Sequence, residues 1–212
     1  MDIQNTPVLD CYKSITTLST GIYKDNGSKF LAFAYPVVKL EEIKPIIQQL
    51  KKEYFDACHH CYAYRLGYTG DIWRFNDDGE PSSTAGRPIY GQILSAELSD
   101  ILIVVVRYFG GIKLGIPGLI KAYKNAAAYA ITNAQIIEKI ATKQYIITFS
   151  YTQMNNVMKA LKDLSIIPYN QQFNLSCTLQ ADIRLNYINK FVEIFDKIDE
   201  CNIQLLDNSK QT

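Results

Sequence analysis

Hydrophobic and polar positions change period several times along this chain, and each change marks an element. Leu18–Lys24 and Lys29–Val37 are rich in aromatic and β-forming residues. Asp25-Asn26-Gly27-Ser28 lies between them with turn chemistry, since Asn and Gly tolerate positive φ, so a β-hairpin is expected. Leu40, Ile43, Ile46, Ile47 and Leu50 then recur at helical steps. Pro45 falls inside that stripe, so the helix is expected to start late or to bend. His60–Tyr68 reads as a strand that continues through Trp73 after a Thr69-Gly70 turn. Phe75–Pro88, with two glycines, two prolines and clustered Asp, Ser and Thr, reads as one long loop. Ile101–Val106 is apolar at every position, as in a strand covered on both faces. Leu119–Thr132 reads as an Ala-rich helix.

The pattern resets after Glu138. Tyr145–Tyr151 alternates as a strand, and Met154, Val157, Met158, Leu161 and Leu164 form a helical stripe. Ile166–Tyr169 and Phe173–Ile183 read as a strand pair. Tyr187, Phe191, Ile194, Phe195 and Ile198 form a second stripe, and Ile203–Leu206 closes as a strand. That order is βαββαβ, the ferredoxin-like plan. The expected fold class is therefore α+β, with one domain over residues 1–138 and a ferredoxin-like domain over 139–212.

Composition narrows the function classes. The net charge is +1 and 48% of residues are hydrophobic, so the chain has a real core and no overall field to attract nucleic acid. Any electrostatic function must arise locally. No apolar run approaches the roughly 20 residues that span a bilayer. The start, Met1-Asp2-Ile3-Gln4-Asn5, lacks the basic and apolar regions of a signal peptide. The five cysteines suggest no disulfide framework. A protein of the reducing cytoplasm without membrane partners is expected, ordered except at ends such as Asn208–Thr212.

The strongest local signal is Arg107-Tyr108-Phe109-Gly110-Gly111-Ile112-Lys113-Leu114-Gly115-Ile116-Pro117-Gly118, where a buried strand runs through four glycines into a helix. Glycine permits close backbone approach, and a helix start offers free N–H groups to an anion. Between Pro81 and Asn125 the only acids are Glu97 and Asp100, against Arg87, Arg107, Lys113, Lys121 and Lys124. Phosphate is the ligand class expected at Arg87, Arg107, Gly110, Gly111, Lys113, Gly115, Lys121 and Lys124. This is no Walker A motif, because Ile116-Pro117 stands where Lys-Ser/Thr is required. Pro117 suits a first helical position but removes a donor, and a tight turn that only packs the helix is the competing reading.

The loop Asn76–Pro88 brings Asp77, Asp78 and Glu80 within four residues, a pattern that can hold a hard cation. Its hydroxyls, Ser82, Ser83 and Thr84, need an activating base to act as nucleophiles, and only His59 and His60 are available. A loop organised by Asx-type turns is the competing reading. Cys58-His59-His60-Cys61 has no second Cys/His pair to complete a zinc site. One of its residues facing the Asp77–Thr84 loop is the better expectation, and neither metal nor cofactor is assigned. Tyr62, Tyr64, Tyr68, Trp73 and Tyr108 could stack on bases or pack a core.

Three stretches together resemble the YigZ/IMPACT family: Ala57–Gly67, Asp77–Gly86 and Val104–Gly115. The resemblance implies a first domain similar to the βαβ fold shared by a ribosomal small-subunit protein and translation factors. It implies a second domain similar to a terminal domain of elongation factor G. It carries the family motif onto His59, Asp77, Asp78, Glu80, Thr84, Gly86, Arg107, Gly110, Gly111 and Gly115. His60 stands where the family usually has Asn, and Ile116-Pro117 replaces a smaller pair. Eukaryotic relatives act in translational control by competing for a partner of a stress-responsive kinase. The leading expectation is a translation-associated protein that binds RNA or the ribosome. The alternatives are a hydrolase-type enzyme, with catalytic candidates His59, Asp77, Asp78, Glu80 and Thr84, or a module that binds a protein partner in translational control.

Overall fold

A computed structural model describes residues 10–206; the N-terminal segment and Asn208–Thr212 discussed above lie outside them. The fold is α+β, and the chain divides into two compact units, Tyr12–Lys139 and Ile140 onward, the latter joined by Asp10 and Cys11.

The first unit contains, in chain order, β1 (Cys11–Ile15), β2 (Ser19–Asp25), β3 (Ser28–Pro36), α1 (Leu40–Glu53), β4 (His59–Leu66), β5 (Ile72–Asn76), α2 (Gly86–Ser95), β6 (Ile101–Tyr108), α3 (Gly115–Thr132) and β7 (Ile136–Ile140). Five strands form a sheet in the order β2-β3-β6-β4-β5, with every neighbouring pair antiparallel. Strands β1 and β7 pair separately.

Period-two geometry explains why β6 is apolar throughout. Ile101, Ile103 and Val105 pack into a core with Ile89, Ile93, Tyr123 and Ala126 from α2 and α3. Leu102, Val104 and Val106 point the other way, into a core with Ile43 and Leu50 from α1. At the β2–β3 turn, Asn26 and Gly27 both have positive φ, 45° and 78°, the conformation that matches strand twist in a two-residue hairpin. Helix α3 rides directly over β2, where a Cβ on Gly21 would fall on the Ala130 backbone nitrogen.

Several expectations need correction. Helix α1 does not start late; it begins at Leu40 and runs through Pro45. Its entry is fixed by Glu42 Oε1, which accepts the Lys39 N–H at 2.9 Å. The Pro45 ring leaves the Glu41 carbonyl without its usual donor, and Glu41 is exposed to water. The expected loop Phe75–Pro88 is shorter at both ends: Phe75 and Asn76 belong to β5, and α2 starts at Gly86. Gly86, Pro88 and Gly91 hide this helix from any propensity reading, and burial of Ile89 and Ile93 supplies what propensity does not. The helix read from Leu119 starts at Gly115, so Pro117 is its third residue rather than its first. Strands β1 and β7, five residues each, escape a pattern reading.

The second unit is built from β8 (Thr142–Ser150), α4 (Met154–Asp163), β9 (Tyr169–Gln172), β10 (Ser176–Arg184), α5 (Ile188–Phe195) and β11 (Cys201–Leu205). The element order is βαββαβ and the sheet order β11-β8-β10-β9, all antiparallel. Ile147, Phe149, Leu179 and Ile183 meet Val157, Leu161, Phe191 and Phe195 in one core. Ile166–Pro168, read as strand, lies outside β9. Asp10 is tied to this unit: Arg184 donates from Nε at 2.6 Å and Nη2 at 2.9 Å to its carboxylate.

Gly21→Ala should cost about 1–3 kcal/mol, the usual range for overpacking, read as a lower urea midpoint with an unchanged slope. The hydrogen bonds from Arg184 hold the Asp10 carboxyl below its ordinary value of 3.8. A depressed folded pKa gives stability that is in place above the unfolded value and lost as pH falls through the folded one. Stability should therefore drop on acidification below about pH 4, and more shallowly in Asp10→Asn; equal slopes in acid titrations of both proteins would contradict this.

Candidate functional site

The three motif stretches converge on one buried ion pair. Arg107 sits in β6 with only 6% exposure, and Glu80 in the loop before α2 with 9%. Arg107 Nη1 donates to Glu80 Oε1 at 2.5 Å. Tyr123, from the Ala-rich face of α3, donates its hydroxyl to the same oxygen at 2.7 Å. The Arg107 guanidinium also lies over the Phe30 and Phe109 rings, 5.5 and 5.6 Å from their centroids. Its Nε is buried without a partner among the described residues.

His59 opens β4 and is oriented from behind. Its Nδ1 lies 2.8 Å from the Asp78 carbonyl oxygen. A carbonyl only accepts, so Nδ1 carries the proton and Nε2 faces Glu80 Oε1, 3.9 Å away. Burial pushes the Tyr123 phenol and the Cys61 thiol above their ordinary values, so both remain neutral donors. Cys61 donates to the Asp77 carbonyl oxygen at 3.0 Å.

The carboxylates of the loop diverge. Asp77 takes N–H bonds from Ser83 at 2.9 Å, Ala85 at 3.0 Å and Gly86 at 2.8 Å, which caps α2 from nine residues upstream. Asp78, at φ 41°, accepts the His60 N–H at 2.7 Å and pairs with Lys51 at 2.8 Å. Thr84 is buried and donates its hydroxyl to the Pro81 carbonyl at 2.6 Å. Among the described residues no three His, Cys, Asp or Glu side chains gather as a metal would require. Burial lowers the His60 pKa, and its Nε2 has no partner among the described residues.

Above the Glu80–Arg107 pair lies a cleft of about 470 Å³, lined by Cys58, His59, Pro81, Phe109, Lys113, Leu114, Gly115, Ile116 and Leu119 as well as the pair itself. Its shape depends on the glycine turn. A Cβ on Gly110 would fall on the Gly27 and Ser28 backbone of the β2–β3 hairpin, and the Gly110 N–H donates to Ser28 Oγ at 3.1 Å. Gly111 and Gly115 have positive φ, 86° and 68°. Lys113, Lys121 and Lys124 are exposed, as is Arg87 near the start of α2. Among the described residues none of these four joins an ion pair, whereas Glu97 is held by Lys13 and Asp100 by Lys139.

Sequence reasoning placed Arg107 among phosphate contacts, and the structure buries it against Glu80. It missed Tyr123, which lies 43 residues from Glu80 and in sequence is one more apolar position of a helix stripe. It missed Lys51 for the same reason of distance. Of the aromatic candidates, Trp73 stacks against Tyr90 and Phe75 in a three-ring cluster, and Tyr108 donates to Asp56. Tyr68 is exposed. Tyr62 and Tyr64 line a separate cleft against α1.

The fold and the site define a two-unit α+β protein with a charge-floored cleft at a strand-to-helix turn. Comparison with known proteins gives the class a name. The Impact N-terminal domain matches residues 26–131. The IMPACT family member YvyE of Bacillus subtilis (strain 168) is 31% identical over 166 residues, covering 78% of this chain and 76% of that protein. The IMPACT family member YigZ of Escherichia coli (strain K12) is 34% identical over 181 residues, covering 84% and 89%. A crystal structure of a hypothetical protein shares the fold with a TM-score of 0.70 and 25% identity, over 96% of this chain and 100% of that one. The chain belongs to the IMPACT family. Protein IMPACT of Rattus norvegicus is 34% identical over 109 residues, 33% of its own length. Among the described residues no helix is long and apolar enough to cross a membrane.

Removing one member of the buried pair leaves the other uncompensated. Glu80→Gln should lower stability by about 3–5 kcal/mol, measured by denaturant unfolding. Glu80→Gln combined with Arg107→Met should recover part of that loss; a double variant as unstable as the sum of the singles would show that the two do not act as a pair.

Proposed function

We propose that this protein acts in translation by binding RNA, with phosphates contacted at the basic strand-to-helix junction from Arg107 to Lys124. The observation that carries the reading is the set of cations there that join no ion pair among the described residues. Lys121 and Lys124 lie three residues apart on the exposed face of α3, and Lys113 just precedes its first turn. Arg87 adds a fourth charge on α2, a helix that packs beside α3. Glu97 and Asp100, the two acids between Pro81 and Asn125, are occupied by other lysines, so in a nearly neutral chain this region is left locally basic.

Arg107 contributes differently from the lysines. Its charge is neutralised by Glu80, so it shapes the cleft floor and does not meet the phosphate backbone. The alternative of hydrolysis at the Asp77–Thr84 loop gains less support. Asp77, Asp78 and Thr84 are engaged by backbone groups and Lys51. Among the described residues the remaining loop hydroxyls, Ser82 and Ser83, make no side-chain hydrogen bond to His59 or Glu80 that would activate them.

Phosphate contacts release condensed counterions, so single-strand affinity should fall with salt at a slope of about −0.7 per contact. In fluorescence anisotropy with single-stranded RNA, Lys121→Ala, Lys124→Ala should bind more weakly, with the slope shallower by about 1.4. Salt-insensitive binding by the wild type, or an unchanged slope in the folded variant, would sink the reading.

A further inference from the structure

The cleft has a chemistry that phosphate binding does not use. Its walls are apolar, with Pro81, Leu114, Ile116 and Leu119, and its rim carries Phe109 with about half of its surface exposed. At about 470 Å³ it falls within the range of roughly 300–1,000 Å³ typical of small-molecule pockets. Its floor is polar and deeply buried. Both Arg107 and Glu80 are more than nine-tenths buried, and Arg107 keeps an unpartnered Nε–H.

Two of the groups that line the cleft, Glu80 and His59, are acceptors. Glu80 Oε1 is already taken by Arg107 and Tyr123, and Oε2 has no hydrogen bond among the described residues. The Asp78 carbonyl accepts from His59 Nδ1, so Nε2 is the nitrogen that offers a lone pair in the neutral form of the ring. Such a floor selects a ligand that has a flat apolar body and an N–H₂ group on its edge. A phosphate at this depth would meet the Glu80 carboxylate, and the exposed lysines offer it a better place.

We propose that the cleft receives one unstacked nucleobase of the bound RNA and reads its amino-bearing edge with Glu80 and His59. Adenine and cytosine present an exocyclic N–H₂, and guanine an N–H beside its own. Uracil presents a single N–H flanked by two carbonyls, which would face the acceptor floor with their lone pairs. Phe109 stacks on the base face at the rim, its other side held by the Arg107 guanidinium. The inference rests on the RNA reading above and adds to it a preference at one nucleotide position.

Cys58 supplies a probe in the unaltered chain. It lines the cleft and is exposed, whereas Cys61 and Cys177 are buried and Cys11 and Cys201 half-buried. Alkylation at Cys58, followed by mass spectrometry in the presence of CMP, AMP or UMP, reads cleft occupancy without a variant. CMP and AMP should protect Cys58 at roughly tenfold lower concentration than UMP, the scale of a base-edge contact. Oligo(C) and oligo(A) should outbind oligo(U), and His59→Phe should narrow that gap while the salt slope stays the same. Steep salt dependence with equal affinity for all three oligomers, and no protection of Cys58, would overturn the base pocket and leave the lysine contacts standing. Base-ranked protection of Cys58 without any oligomer binding would uphold the pocket and overturn the RNA reading.

Discussion

A carboxylate and a guanidinium 2.5 Å apart in an apolar interior are tolerable only if the lost hydration is replaced on both sides. Burying a charge pair is costly, and geometry decides whether the pair offsets that cost. Here the replacement comes from three elements at once. Strand β6 brings Arg107, the loop before α2 brings Glu80, and α3 brings the Tyr123 hydroxyl. The rings of Phe30 and Phe109 flank the guanidinium. Shifting any of these by the width of a side chain would leave a charge unpaired in the core. The pair therefore fixes the loop and the glycine turn relative to the sheet, and with them the cleft above.

The loop is built to deliver Glu80 to that place. Asp77 turns back onto three N–H groups at the start of α2. Asp78 reaches the other way, to the His60 N–H and Lys51, and its carbonyl orients His59. Adjacent carboxylates thus anchor the loop to opposite sides, and Glu80, two residues on, has one direction left. The same contacts settle the tautomer of His59, so the scaffold and the acceptor character of the cleft floor share one cause. The cations remain outside this network, on the exposed face of α3 and beside it.

Much of this fold could be read from the chain because its clearest elements obey one rule each. The β2–β3 hairpin follows from Asn26-Gly27, β6 from an unbroken apolar run, and the second unit from two helical stripes between alternating strands. Helix α2 could not be read, since its glycines and proline oppose helix formation and only tertiary burial with a distant cap overrides them. The stretches that converge at the cleft were legible as candidates, because glycines, basic residues and paired acids cluster in them. The roles within it were less so. Arg107 looks like a surface cation until β6 carries its side chain inward, and Tyr123 looks like core until Glu80 meets its hydroxyl. Long-range pairings of this kind leave no periodic trace.

Membership of the IMPACT family sets the context, and the cleft and the adjoining lysines are the working surface proposed within it. The most direct test of that central claim is photo-crosslinking of single-stranded RNA to the full chain, with the adducts mapped by mass spectrometry. The account expects adducts at Phe109 and along Lys113–Lys124. Adducts confined to the unit from Ile140 onward, or to the Tyr62–Tyr64 face against α1, would contradict it.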